Sequence, residues 1–373
     1  MKKSNDRIAI LLSGYKSGGD TKVVLNLVNA LARQGKAIDL VLASAAKLAL
    51  DLPSNVRIID LQTPLSTRTL TALKLLPPLI RYLWQEQPKV LISNLIFTNS
   101  IAVLAKQIAF VPTKLVLVEH IGLSKNHDRA DEPNSRFIPF LMRKLYPKAD
   151  AVVANSQAMA RDLESDFKLK DHLTMIYNAA IDESLQEKAQ EPCKHPWLQA
   201  NQPPVFLGVG RFAHQKDFAT LIRAFALLRQ QMPARLIILG EGGLRGELEA
   251  LIRDLEIAED VDLPGFDPNP YPYMSRASVF VLSSRWEALP TVLLEAMACG
   301  CQIVGTDCPY GVEEILAGGE WGQLVSLEAP EEMAQAMKQA LASPISAQAI
   351  QLRAADFNVD RAVTQYLALI EQL

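Results

Sequence analysis

The sequence predicts an α/β protein of two similar domains in tandem, each a parallel sheet covered by helices. Three observations carry this. The length of 373 residues exceeds one ordinary hydrophobic core. Short runs rich in Val, Ile and Leu alternate with helical periodicities along most of the chain. A strand, a glycine-bearing loop and a helix open the chain, and the same pattern restarts at Val205.

Composition narrows the class. Apolar residues make up 49% and charged residues 21%, which is globular. The best candidate for a membrane span, Val90 to Ala109, is broken by Asn94, Thr98, Asn99, Ser100 and Lys106. The charged N-terminus leads into a strand, so no signal peptide is expected, and a cytoplasmic location follows as the expectation. Cys193, Cys299, Cys301 and Cys308 lack the paired spacing and histidines of a zinc site and read as small buried thiols. Residues 1–185 hold 24 Lys+Arg against 17 Asp+Glu, while the remainder holds 14 against 24. The basic first half suits an anionic partner, either a phosphate-bearing acceptor or an anionic membrane surface; ordinary solvation accounts for it equally well. No nucleic-acid partner is expected.

Arg7 to Leu12 reads as the first strand. Gly18-Gly19 then opens a helix with apolar Val23, Val24, Leu27, Val28 and Leu31, without the dinucleotide or P-loop fingerprint. Glycines there allow close backbone approach to a phosphate or sugar, or simply make the turn. Further strands are expected at Ala37–Ala43, Val56–Leu61, Val90–Ser93, Lys114–Val118, Ala151–Ala154 and Thr174–Tyr177. Glu119-His120, Asn155-Ser156 and Asn178 fall at the C-terminal ends of three of these, the edge where open α/β sheets bind ligands. The basic, apolar segments Arg68 to Trp84 and Arg136 to Leu145 read as core-facing helices, with a membrane-surface role as the alternative.

The polar, proline-containing tract 184–204 reads as the linker. Val205 to Gly210 restarts the pattern and is followed by Arg211, Lys216 and a helix with Leu221, Ile222, Phe225 and Leu228. Arg235 to Gly242 is the next strand and loop, ahead of a helix from Leu244 to Leu255; Val261 to Phe266 is a short strand and turn; Tyr271 to Ala277 reads as helix. Ser278 to Leu282 is a buried strand, and a helix from Pro290 to Cys299 follows, ended by Gly300. Glu287 in the loop and Glu295 in that helix are acceptor-only groups beside a helix N-terminus, able to hold sugar and ribose hydroxyls. Taken alone, helix-dipole preference and solvation also account for them. Arg211 and Lys216 form the basic pair that a diphosphate would require. Asp260-Val261-Asp262 matches a metal-binding pattern but sits at a helix-to-strand junction, where a capping or turn role is expected, so no metal cofactor is predicted. An amphipathic helix, about Val359 to Gln372, closes the chain.

Gly210-Arg211 with Lys216-Asp217, then Gly240-Glu241-Gly242, then Glu287 and Glu295 within Trp286–Gly300, together resemble the retaining glycosyltransferases of family 4 (glycosyl transferases group 1). The resemblance covers nearly the whole chain and is strongest from Gly208 to Ile315. It implies the GT-B fold, two Rossmann-like domains facing across a cleft. The implied domains are an acceptor-binding one over 1–184, a donor-binding one over 185–356, and a C-terminal helix over 357–373 that crosses back to the first. It implies a nucleoside diphosphate sugar donor, with UDP expected, and a saccharide or lipid-linked acceptor. Arg211 and Lys216 would bind the donor diphosphate, and Glu287 with the neighbourhood of Ala288, Leu289 and Thr291 the sugar. Glu295 would take the ribose diol, Gly18 and Gly19 the donor phosphate, and His120 the far sugar hydroxyls. Glu241 and Pro264 to Asp267, including Phe266, would line the base pocket. His120, Arg211, Lys216 and Glu287 are the catalytic candidates. Many members of the family carry Glu-Gly-Phe-Gly where this chain has Glu287-Ala288-Leu289-Pro290, so Ala288 replaces a glycine. A sugar-nucleotide epimerase on the same fold would need further acid/base residues that the sequence does not assign. A non-catalytic nucleotide-sugar binder is the third alternative, and the presence of Arg211, Lys216, Glu287 and Glu295 together argues against it.

Overall fold

The computed structural model describes residues 5–12, 19–44, 52–63, 73–120, 138–167 and 169–373. The chain divides into two compact units, residues 1–179 with 359–373, and residues 180–358.

In the first unit a seven-stranded sheet runs in the order β3-β2-β1-β4-β5-β6-β7. Its strands are β1 Asn5–Leu12, β2 Ile38–Leu42, β3 Val56–Asp60, β4 Pro88–Asn94, β5 Lys114–Glu119, β6 Ala151–Ala154 and β7 Leu173–Met175. All pairs are parallel, with Asn94 opposite Val118 and Glu119 opposite Ala154. The central strands are continuous apolar runs because both faces are covered; Leu115, Val116 and Leu117 are fully buried. The strand expected at Thr174–Tyr177 is shifted, ending at Met175 with one further bond from Ile176 N–H to Ala154 O.

The closing helix, Val359–Gln372, belongs to this unit. Ala362, Val363, Tyr366, Leu369 and Ile370 form one stripe and share a core with Val24, Leu27, Val28 and Leu31 of the helix Gly19–Arg33. Each such side chain contributes about 1.5–3 kcal/mol when fully buried. The helix Leu76–Glu86 buries Leu79, Tyr82 and Leu83 but leaves Trp84 exposed, and the helix Ile138–Leu145 buries Met142 and Leu145 while exposing Phe140. Residues 68–72 and 136–137 of those two segments lie outside the described residues. Among the described residues, no helix is long and apolar enough to cross a membrane.

In the second unit a six-stranded parallel sheet runs β10-β9-β8-β11-β12-β13. The strands are β8 Val205–Val209, β9 Arg235–Leu239, β10 Val261–Gly265, β11 Val279–Leu282, β12 Gln302–Thr306 and β13 Gln323–Val325. The last two carried no strand expectation from the sequence. From β8 the chain winds outward through β9 and β10, then returns to place β11 on the other side of β8. The boundary between β8 and β11 is thus a topological switch point, where loops at the C-terminal strand ends diverge and leave a crevice.

The tract 184–204 is not a free linker. Leu185 and Leu198 are buried, His195 bonds Asp262 at 2.9 Å, and Gln186 Nε2 donates to Ala298 O at 2.8 Å. Gln186, His195 and Gln199 thus face carbonyls or a carboxylate of the folded unit, so polarity at these positions does not mark a spacer. Helix limits also move. The helix after β11 is Thr291–Ala298, because Pro290, at ψ 102°, is extended and serves as its N-cap. The short helix Tyr271–Met274 ends before Ala277, and the helix expected over Leu244 to Leu255 is Arg245–Asp254.

Candidate active site

Two loops meet at the switch point of the second unit. One follows β8 and runs from Gly210 to Asp217 before the helix Phe218–Arg229; the other follows β11 and runs from Ser283 to Pro290. Their backbones and side chains are laced together. Arg285 N–H donates to Gln215 O at 2.8 Å, Gln215 Nε2 to Trp286 O at 3.0 Å, and Ser283 Oγ to Lys216 O at 2.7 Å. The lacing brings Lys216 Nζ to 2.5 Å from Glu287 Oε1, which also accepts from Ser284 Oγ at 2.7 Å. The side chains of Lys216 and Glu287 are 17% and 9% exposed, so the pair feels less screening than a surface one.

Glu295 is buried on the helix Thr291–Ala298, whose first N–H groups emerge beside Glu287 along the chain. Arg211 is exposed at the start of the first loop. The structure therefore brings Lys216 and Glu287 into contact, places Glu295 on the adjoining helix, and leaves Arg211 as a solvent-facing fork. Ala288 is not among the non-glycine residues with positive φ, so its backbone needs no glycine freedom. Its carbonyl accepts from Gly311 N–H at 2.8 Å, and a Cβ on Gly311 would lie 2.6 Å from that same oxygen. Leu289 is buried and Thr291 is half-buried. Cys308 lies close enough that burial, aided by the Glu287 carboxylate, pushes its thiol well above the usual range and keeps it protonated.

Next to these loops Gly240 adopts φ 151°, and a Cβ there would sit 1.8 Å from Gly210 O, so only glycine lets the two loops touch. Glu241 pairs with Arg245 at 2.7 Å, and Arg245 also donates to Leu263 O at 2.7 Å, which fixes this loop to β10. Phe266, 61% exposed just past β10, offers a ring face. Asp260 is engaged by Arg229 at 2.7 Å and by Arg235, and Asp262 by His195, so the two carboxylates of Asp260-Val261-Asp262 serve separate structural contacts.

In the first unit His120 is buried just past β5, its Nε2 3.0 Å from Asn94 Oδ1. Asn94 Nδ2 donates to Leu11 O, which leaves Oδ1 as the acceptor and makes His120 Nε2 the protonated nitrogen. Nδ1 then carries the lone pair, without a hydrogen-bond partner among the described residues. Burial lowers the imidazole's affinity for a proton, against an opposing pull from Asp20. Glu119, also buried, accepts from Tyr146 OH at 2.6 Å. Gly19 begins the helix Gly19–Arg33, while Gly18 lies outside the described residues. Asn155 Nδ2 reaches Asn178 Oδ1 at 3.4 Å across the ends of β6 and β7. Sequence reasoning gave no role to Gln215, Ser283, Ser284 or Asn94; a strand-end position was the available signal for Asn94, Ser283 and Ser284, and none marked Gln215.

Residues 190–356 match the family model of glycosyl transferases group 1, and residues 17–183 that of glycosyltransferase family 4. The chain is 32% identical over 337 residues, 89% of each protein, to the N-acetylgalactosamine-N,N'-diacetylbacillosaminyl-diphospho-undecaprenol 4-alpha-N-acetylgalactosaminyltransferase of Campylobacter jejuni. Among solved structures it superposes on sucrose-phosphate synthase from Thermosynechococcus elongatus with a TM-score of 0.81 at 20% identity, covering 99% of each chain. Anabaena HepE in complex with UDP and glucose gives 0.79 at 20% identity, covering 99% of this chain and 100% of that one. These structural likenesses establish the fold, GT-B.

Proposed function

The chain belongs to the glycosyltransferases of group 1 and family 4, and from that premise we propose that it moves a sugar from a nucleoside diphosphate donor, with UDP as the nucleotide, to a saccharide or lipid-linked acceptor, retaining the anomeric configuration. The observation that carries the reading is the Lys216–Glu287 contact at the switch point, with Glu295 buried on the next helix. Lys216 and Arg211 supply positive charge for the diphosphate and stabilise it as negative charge develops on the leaving oxygen. Glu287 accepts from donor-sugar hydroxyls and Glu295 from the ribose diol.

In the reaction the bond from the anomeric carbon to the β-phosphate oxygen breaks, and the acceptor oxygen bonds to that carbon on the same face. The departing phosphate oxygen takes the acceptor's proton, so the protein need supply no nucleophile. Glycosidase chemistry would require two carboxyls flanking a glycosidic bond. Here Glu287 is committed to Lys216 and Ser284, and it shares one loop–helix unit with Glu295. The Campylobacter relative's name gives a diphospho-undecaprenol-linked acceptor and a 4-alpha linkage, which supports a lipid-linked acceptor in cell-envelope polysaccharide or glycoconjugate synthesis. The UDP in the HepE complex supports the nucleotide.

A donor panel tests this, with nucleotide release measured with and without acceptor extracts. Acceptor-dependent release is expected. Sugar interconversion without release would replace the reading with an epimerase, and binding without any turnover would replace it with a non-catalytic binder.

A further inference from the structure

Arg285 stands between Glu287 and the loop that carries Lys216, and no role in donor binding falls to it from the reading above. Its guanidinium joins three loops at the C-terminal edge of the second unit's sheet. Nε lies 3.3 Å from Asp217 Oδ2 as an ion pair without hydrogen-bond geometry, and a terminal nitrogen lies 2.8 Å from Glu328 Oε1. Its backbone N–H donates to Gln215 O at 2.8 Å.

Asp217 ends the loop after β8 in a left-handed conformation, φ 43°, and caps the helix Phe218–Arg229 by accepting from Thr220 N–H at 3.4 Å; it also accepts from Thr220 Oγ1 at 2.8 Å. It is the residue directly after Lys216. Glu328, also at positive φ (55°), lies in the turn after β13. A guanidinium spreads its charge over three nitrogens, so one side chain can attract two carboxylates at once, which the point charge of an ammonium does less well. Arg285 is 36% exposed and Glu328 57% exposed, so the pair between them contributes little to fold stability. Its effect falls instead on where the two loops sit relative to each other.

We propose that Arg285 is a positioning residue that holds Lys216 where a donor diphosphate would meet it, by tying the Lys216 loop through Asp217 to the β11 loop and to the turn at Glu328. The proposal rests on the donor-site reading, because the lysine it positions is the one assigned to the donor diphosphate. It makes Arg285 act through Lys216, without touching the donor itself.

The test is calorimetric titration of UDP, carried into the millimolar range, into the full chain. The proteins compared are wild type, Arg285→Ala and Arg285→Lys, each with and without Lys216→Ala. Arg285→Ala is expected to weaken UDP binding about tenfold, the scale of one charge-assisted contact. Arg285→Lys should recover part of that loss. In the Lys216→Ala background, Arg285→Ala should cost nothing further. An equal loss in both backgrounds, as a purely structural role would give, overturns the proposal, and so does no loss in either. A wild-type chain that binds none of UDP, GDP and ADP overturns the donor-site reading itself, and the proposal with it.

Discussion

Lys216 Nζ and Glu287 Oε1 lie 2.5 Å apart, so the cation assigned to the donor diphosphate is already neutralised by the carboxylate assigned to the donor sugar. A diphosphate must compete with Glu287 for Lys216, whereas a full sugar nucleotide offers each partner a group of its own. Glu287→Gln is therefore expected to bind free UDP about tenfold more tightly while losing about a hundredfold in sugar transfer. Titration with UDP, run beside a turnover assay, separates the two effects. Weaker UDP binding in the variant would show that the pair cooperates on the phosphate.

Glu295 is assigned to the ribose, so its loss should be read in the nucleotide's sugar and not in its phosphates. Wild type is expected to bind UDP about tenfold more tightly than 2′-deoxy-UDP, the scale of one hydrogen bond to a charged group. Glu295→Ala should erase that preference. A variant that still discriminates would move the ribose contact elsewhere.

His120 gives the protein a pH dependence on its acidic side. Burial holds its pKa below the ordinary histidine value of about 6.5, so in the folded state it binds fewer protons than in the unfolded state. Stability is then full above that ordinary value and is lost as pH falls through it toward the folded value. The urea midpoint of wild type should fall from about pH 7.5 to pH 5, and that of His120→Gln should fall less. Identical slopes would mean the imidazole protonates as freely in the fold as outside it.

Asp39 acts in a lower window. Burial works against its charge, but hydrogen bonds from Arg57, Tyr82 and Arg7 outweigh burial and hold the carboxyl below the ordinary range. Those bonds measure 2.6, 2.8 and 2.5 Å. The stabilisation is complete above the ordinary carboxylate value of about 3.9 and disappears as pH drops through the folded value. Asp39→Asn should cost about 2–3 kcal/mol at neutral pH, less than a fully buried network because Arg57 is partly exposed. It should also flatten the acid limb of the stability curve. Chemical denaturation at neutral and acid pH checks both.

Much of this was legible in the sequence, for identifiable reasons. Lys216 and Glu287 lie in loops that follow apolar strands and Glu295 inside the next helix; taken alone these positions did not single them out, and the family resemblance did. The closing helix reads clearly because its stripe from Ala362 to Ile370 is strictly periodic. What stayed hidden is non-local. The pairing of Arg285 with Asp217 spans the two halves of the site, and nothing near either residue announces it. Strand β13 was missed because it has only three residues, and β12 because its apolar pair, Ile303 and Val304, is flanked by Gln302, Gly305 and Thr306. The tract 184–204 looked like a spacer because its few buried residues, Leu185, Ala189, His195 and Leu198, are scattered among polar ones.

The central claim is that one site in the second unit, built on Lys216 and Glu295, handles the nucleoside diphosphate sugar. The most direct measurement is acceptor-dependent UDP release by wild type, Lys216→Ala and Glu295→Ala, with circular dichroism on each. Both variants are expected to keep the wild-type spectrum and to lose about a hundredfold or more in turnover, the scale of losing a group that stabilises developing charge. Full activity in either folded variant would contradict the account.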